Sequence, residues 1–148
     1  MAAVRHAEIT WKGDLLAGAG TIDYVSSGAF SRMPVTWASR TEAHDGRTSP
    51  EELIAAAHGS CFSMAFSSRL AKNGTPATQL KVKAVVTFDK TDAGWGIASS
   101  AIEVRGIVPG LDAESFARIA EDAKDNCPVS QALKGNVALS VTATLVEG

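Results

Sequence analysis

The sequence predicts an α+β fold, antiparallel sheets with a long central helix, and three features carry that expectation. Residues 53–72 form one proline-free stretch that follows a strong helix-start signal. Residues 80–89 and 136–146 alternate apolar with polar side chains, the period of a strand with one wet face. The first forty residues are short runs of β-formers broken by glycine turns, so strands and helices are segregated along the chain.

Taken in order, residues 7–11 and 21–25 read as the first two strands, with turns at Lys12-Gly13-Asp14, Gly18-Ala19-Gly20 and Ser26-Ser27-Gly28. The glycines at 18 and 20 are no dinucleotide fingerprint, because a third glycine and a following helix are missing. A third strand is expected over residues 35–39, ahead of a polar loop at 42–48. The central helix then starts with Ser49 as N-cap, Pro50 at the first helical position and Glu52 completing a capping box. Asn73-Gly74 and Pro76 stop it. Its many small residues (Ala55, Ala56, Ala57, Gly59, Ser60, Ser63, Ala65) predict a helix packed on every side.

The strand at 80–89 is expected to pair with residues 97–108 across a turn at 91–94. Pro109-Gly110 ends that hairpin, and Asp112 caps an amphipathic helix to about residue 125, with Phe116, Ile119, Ala120 and Ala123 on its apolar side. Cys127-Pro128 opens a further helical turn to Leu133, and residues 136–146 close the chain as a strand. With no repeat and no linker, residues 1–148 read as a single domain.

Composition narrows the function. The 148 residues carry a net charge of −2, with 45% hydrophobic and 20% charged side chains, so a packed core is expected. No block of Lys and Arg is present to neutralise phosphates, which argues against nucleic-acid or anionic-membrane partners. No run approaches the roughly 20 apolar residues of a membrane span, and Arg5, His6 and Glu8 stand where a signal peptide needs apolar residues. A cytoplasmic protein is expected.

Two cysteines, Cys61 and Cys127, lie 66 positions apart, which suits neither a disulfide scaffold nor a paired metal spacing. On the central helix, Leu53, Ile54, Ala57, Met64, Ala65 and Ser68 share the face of Cys61, so its thiol is expected to point into the main apolar face. There it is either an inert core residue or a reactive one. Cys127 precedes Pro128 at a helix start, where unpaired backbone N–H groups favour a thiolate, although a plain capping or core role explains it too. A reactive thiol needs a cation, for which Arg40, Arg32 and Arg47 are all available. His58, one turn before Cys61, suits a gap-filling core histidine better than a catalytic base, since no Asp or Asn is placed to orient it.

The segment from Ser49-Pro50-Glu51-Glu52 through His58-Gly59-Ser60-Cys61-Phe62-Ser63-Met64-Ala65, taken with Asn126-Cys127-Pro128-Val129-Ser130-Gln131, closely resembles the OsmC/Ohr family of thiol peroxidases, and the OsmC branch in particular. Trp11-Lys12-Gly13-Asp14, Arg40 and Val108-Pro109-Gly110-Leu111-Asp112-Ala113 extend the likeness along the chain. Ser49 stands where the family often has Asn, and Gly59-Ser60 where it commonly has two small apolar residues. The resemblance implies that Cys61 is oxidised by a hydroperoxide to a sulfenic acid, that Cys127 resolves it as an intramolecular disulfide, and that Arg40 and Glu51 match the catalytic Arg and Glu. It implies no metal and no organic cofactor, and a thiol or dithiol reductant as electron donor.

Those residue types suit the chemistry. A thiolate is the nucleophile, Arg holds it and the peroxide oxygens at a fixed angle, and Glu orients Arg through a bidentate pair. Glu51 and Cys61 are ten residues apart, roughly 15 Å along a helix rising 1.5 Å per residue, so one arginine can hardly serve both on a straight helix. Two central helices packed antiparallel about a two-fold axis would bring Glu51 of one beside Cys61 of the other, which agrees with the family's intertwined homodimer. The expected function is reduction of organic hydroperoxides, with hydrogen peroxide a weaker substrate, past an apolar approach for which Phe62, Met64 and Phe66 are weak candidates. The competing reading is a non-catalytic dimer that binds apolar ligands or senses oxidants, which would have no need of Arg40 and Glu51.

Overall fold

The computed structural model describes residues 1–147, and its chain divides into two compact units, Met1–Leu53 and a second that begins at Ile54. The first unit holds β1 (Ala7–Lys12), β2 (Ala19–Val25) and β3 (Ser31–Val35) in one antiparallel sheet of order β1-β2-β3. Gly20 falls inside β2 rather than in the preceding turn. A Cβ there would sit 2.6 Å from the Trp11 ring of the paired strand, so the glycine makes room for the indole.

The expected strand at residues 35–39 is corrected: the strand ends at Val35, and α1 (Trp37–Thr41) follows. The cause is local. The Ser39 N–H donates to Thr36 Oγ1 and the Thr36 N–H donates to Ser39 Oγ, both at 3.0 Å, a capping box that turns the backbone into a helix. Pro34 is tolerated in β3 because that strand lies at the sheet edge.

Helix α2 (Pro50–Lys72) has the expected bounds. Ser49 Oγ accepts the Glu52 N–H at 3.1 Å, whereas the Glu52 carboxylate accepts from Thr48 Oγ1 at 2.9 Å. Only half of the anticipated capping box therefore closes around Ser49. Within the single chain this helix is packed along one side only. His58, Phe62, Phe66 and Leu70, spaced four apart, are buried along one stripe, while Ala56, Ala57, Ser60, Met64, Ser67, Ser68 and Ala71 are exposed.

In the second unit, β4 (Gln79–Thr91) and β5 (Gly94–Ile107) form a hairpin with a two-residue turn, longer than the sequence suggests because Gly94 already pairs with Thr91. Helices α3 (Ala113–Asn126) and α4 (Pro128–Leu133) carry the chain back to β6 (Ala138–Leu145), which pairs with β5 in parallel. The sheet of order β4-β5-β6 is thus mixed: a strand that returns through a helical crossover enters at the same end as its neighbour. The α+β class holds, with this one pairing of the other sense.

Phe62 and Phe66 of α2 meet Phe116 of α3 at the centre of this unit's core, with ring centroids 5.4 Å apart for Phe62–Phe66 and 5.0 Å for Phe66–Phe116. Ile102, Val104 and Val108 close it from β5 and its end. All four residues expected on the apolar side of α3 are buried. The tightest approach is at Gly106, where a Cβ would lie 2.5 Å from Phe116 Cζ. Gly106→Ala should therefore destabilise the protein by about 1–3 kcal/mol through overpacking. Urea unfolding checks this, and a variant as stable as the parent would show that α3 shifts freely over the sheet.

Candidate active site

Two constellations stand out, one in each unit. In the first, Arg40 in the last turn of α1 grips Glu51 in the first turn of α2. Arg40 Nε donates to both carboxylate oxygens, at 2.9 Å to Oε1 and 3.1 Å to Oε2, and Nη2 donates to Oε1 at 2.7 Å. The Glu51 side chain is 8% exposed and that of Arg40 27%, so the carboxylate is enclosed and the guanidinium is partly exposed. The Trp37 ring lies 5.9 Å from the guanidinium carbon and stiffens it further. The α1 cap presents Arg40 at this point, because Ser39, besides closing the capping box, donates from Oγ to the Thr48 carbonyl at 3.0 Å and ties α1 to the residue before the α2 N-cap.

The other two arginines raised by the sequence are placed differently. Arg47 pairs at 2.9 Å with the exposed Asp45, and Arg32 lies exposed on β3 in a left-handed backbone conformation (φ 52°). Among these three, Arg40 alone forms a multidentate pair with a buried acid.

In the second unit, Cys61 at the middle of α2 and Cys127 at the start of α4 meet. Both thiols are free, Cys127 is fully buried, Cys61 is half-buried, and the Cys127 side chain is within hydrogen-bonding reach of Cys61. Cys127 sits at the hinge between α3 and α4: its N–H closes α3 on the Ala123 carbonyl at 2.9 Å and its carbonyl accepts the first α4 bond from Gln131 at 3.0 Å. Its side chain takes no part in capping, which leaves the sulfur available. Burial pushes the Cys61 thiol above its ordinary range, the Val129 N–H in the first turn of α4 works against that by donating to the sulfur, and the adjacent Cys127 thiol adds to the rise.

The apolar face expected around Cys61 is displaced by one position. The buried stripe runs through His58, Phe62 and Phe66 on one side of the cysteine, and Met64 is 73% exposed. Phe62 and Phe66 are full core residues, so of the three weak candidates for an apolar approach only Met64 faces solvent. His58 is also buried, and neither ring nitrogen is spent on a cysteine: Nδ1 lies 2.6 Å from Ser100 Oγ and Nε2 2.8 Å from Ser130 Oγ. The gap-filling reading holds, but the two serines went unrecognised in the sequence. Ser100 was legible in principle, because it occupies an inward position of β5 in register with Ile102 and Val104.

Among the described residues no group of three His, Cys, Asp or Glu gathers to hold a metal, and no helix is long and apolar enough to cross a membrane. The two constellations bring together two thiols in one unit and a part-buried arginine–carboxylate pair in the other.

A family model described as OsmC-like protein matches residues 43–142. The chain is 42% identical over 135 residues to Peroxiredoxin OsmC of Escherichia coli (strain K12), covering 91% of this chain and 93% of that protein. It is 35% identical over 107 residues to Organic hydroperoxide resistance protein-like 1 of Staphylococcus epidermidis, covering 70% and 74%. The solved organic hydroperoxide resistance protein OhrB of Bacillus subtilis superposes with a TM-score of 0.73 at 23% identity over 94% of this chain and 98% of that one, which shows a common fold. With a family match spanning both cysteine-bearing segments short of either terminus, and a relative this similar over nine-tenths of its length, the chain belongs to the OsmC-like protein family.

Proposed function

We propose that this chain is a cysteine-based peroxidase that reduces organic hydroperoxides to alcohols, with hydrogen peroxide a weaker substrate. The observation that carries the reading is the meeting of Cys61 and Cys127, two free thiols from distant parts of the sequence, in a chain so similar to a protein named a peroxiredoxin. The matched region crosses from the first compact unit into the second, which supports treating residues 1–148 as one OsmC-like domain.

The Cys61 thiolate attacks the terminal oxygen of the hydroperoxide. The S–O bond forms as the O–O bond breaks, leaving Cys61 as a sulfenic acid, and the departing alkoxide takes a proton to become the alcohol. Cys127 then attacks the Cys61 sulfur. The S–S bond forms, the S–O bond breaks, and the hydroxyl leaves with the Cys127 proton as water. A thiol or dithiol reductant returns both residues to thiols by exchange, at the expense of its own oxidation, as suits a cytoplasmic enzyme.

Burial alone disfavours the Cys61 thiolate, so a cation must offset it. Arg40, fixed by Glu51, is a planar guanidinium with the shape to hold a thiolate and the peroxide oxygens together. Glu51 and Cys61 are ten residues apart on α2, about 15 Å. In an antiparallel homodimer, Arg40 and Glu51 of one chain serve Cys61 of the other. The exposed small residues of α2 and the exposed Met64 supply a face on which a second α2 can approach closely.

Cys61→Ser should abolish turnover of cumene hydroperoxide, since a hydroxyl cannot supply the thiolate, and residual turnover in that variant would overturn the assignment. Cys127→Ser should consume about one equivalent of peroxide and then stall unless external thiol is added, with intact mass showing extra oxygens on Cys61 as it climbs to sulfinic acid. Arg40→Lys should not restore activity although it keeps the charge, because an ammonium cannot span carboxylate and thiolate. The shared site has its own test. Glu51→Ala and Cys61→Ser chains, each inactive alone, should regain one working site per mixed dimer, and verified subunit exchange without activity would place acid and thiol within one chain.

A further inference from the structure

The peroxidase steps leave one buried titratable group unused. His58 is fully enclosed, three residues before Cys61 on α2, and its two ring nitrogens are taken by serines on two other elements: Ser100 on β5 at 2.6 Å and Ser130 on α4 at 2.8 Å. Both serines are buried as well. Burial lowers the basicity of the ring, so it is neutral at neutral pH, with one nitrogen donating and the other accepting. Two hydroxyls, each able to donate or accept, match that demand. No buried side-chain polar atom among the described residues lacks a partner, so the three-residue chain is complete.

Its placement matters more than its completeness. Ser130 stands three residues after Cys127, and Val129, one of the two residues between them, gives its N–H to Cys61. Helix α4 is only six residues long, and its N-cap has no side-chain hydrogen bond to hold it. The Gln131 N–H to Cys127 and the Lys134 N–H to Ser130 lie within the helix itself, and the Gln131 side chain donates to the Asp125 carbonyl of α3, so none of these ties α4 to α2. The imidazole is thus a polar tie, beside the contacts of Cys127 and Val129 with Cys61, between the short helix that carries the resolving cysteine and the long helix that carries the attacking one, with β5 as the third anchor.

We propose that His58 is a positioning residue for disulfide closure: through Ser130 it holds the first turn of α4 so that the Cys127 sulfur and the Val129 N–H stay against Cys61. The proposal rests on the peroxidase reading. During closure the Cys127 sulfur displaces hydroxide from the Cys61 sulfenic acid, the new S–S bond replacing the S–O bond and the Cys127 proton leaving in water. The ring exchanges no proton in that step. Its contribution is orientation, and misplacing a reacting group by about 1 Å costs up to roughly 100-fold in rate.

The test is a single turnover of Ser130→Ala, with circular dichroism confirming its fold. One equivalent of cumene hydroperoxide is added, Cys61 sulfenic acid is trapped with dimedone, and the Cys61–Cys127 bridge is followed by mass. Sulfenic acid should form at close to the parent rate but close into the disulfide roughly 10- to 100-fold more slowly, accumulating as the dimedone adduct. Ser130→Thr, which keeps the hydroxyl, should restore closure. A purely structural role for Ser130 would lower thermal stability without separating the two rates. Ser100→Ala, which frees the ring from β5 instead, should show a milder form of the same defect and serves as the independent arm if Ser130→Ala does not fold. Closure at the parent rate in the folded variants would overturn the role of His58 while leaving the peroxidase reading in place. A parent protein that formed neither adduct nor bridge would remove the peroxidase reading itself.

Discussion

The contact on which the second unit depends is the one between the first turn of α4 and the middle of α2. A six-residue helix is too short to be stable by itself, and it is held because Cys127, Val129 and Ser130 each find something on α2: the Cys61 side chain for the first two and the His58 ring for the third. Everything upstream serves that meeting. The Phe62, Phe66 and Phe116 rings lock α2 to α3, Gly106 lets α3 lie close on the sheet, and α3 ends at Cys127 with its last N–H already bonded. The parallel return of β6 fixes where α4 must stop.

The electrostatics of the two constellations complement each other. The partial burial of Cys61 disfavours its thiolate, and one backbone N–H is a modest counterweight. Arg40 and Glu51 have a different character, an enclosed carboxylate gripped by a partly exposed guanidinium. Joining them across a two-fold axis in the proposed dimer brings a cation to the Cys61 thiolate. The same association would cover the small-residue face of α2, which explains why a helix rich in alanine and serine tolerates a face open to solvent in the single chain.

Much of this was legible in the sequence, and the rest failed for definite reasons. The bounds of α2 and α4 and the buried side of α3 follow from caps, prolines and a 3.6-residue period, signals that are local and strong. The end of β3 was misjudged because Val35, Thr36 and Trp37 are all β-formers, and their propensity hides a capping box that Thr36 and Ser39 share. Glu52 lay in capping-box spacing from Ser49, yet its carboxylate found the nearer hydroxyl of Thr48. The sense of β6 and the meeting of His58 with Ser100 and Ser130 depend on residues more than thirty positions apart, which no local pattern encodes. Cys61 and Cys127 stood out as candidates by residue type and helix position, but their pairing and roles came from the resemblance, since their spacing alone is uninformative.

The central claim is that Cys61 and Cys127 form a working redox pair within one chain. Peptide mapping of the unmodified protein after one equivalent of organic hydroperoxide addresses it most directly. The account predicts a single new cross-link, Cys61 to Cys127 in the same chain, formed with loss of both free thiols and reversed by a dithiol. Two thiols that stay free, or a bridge found only between chains, would contradict it.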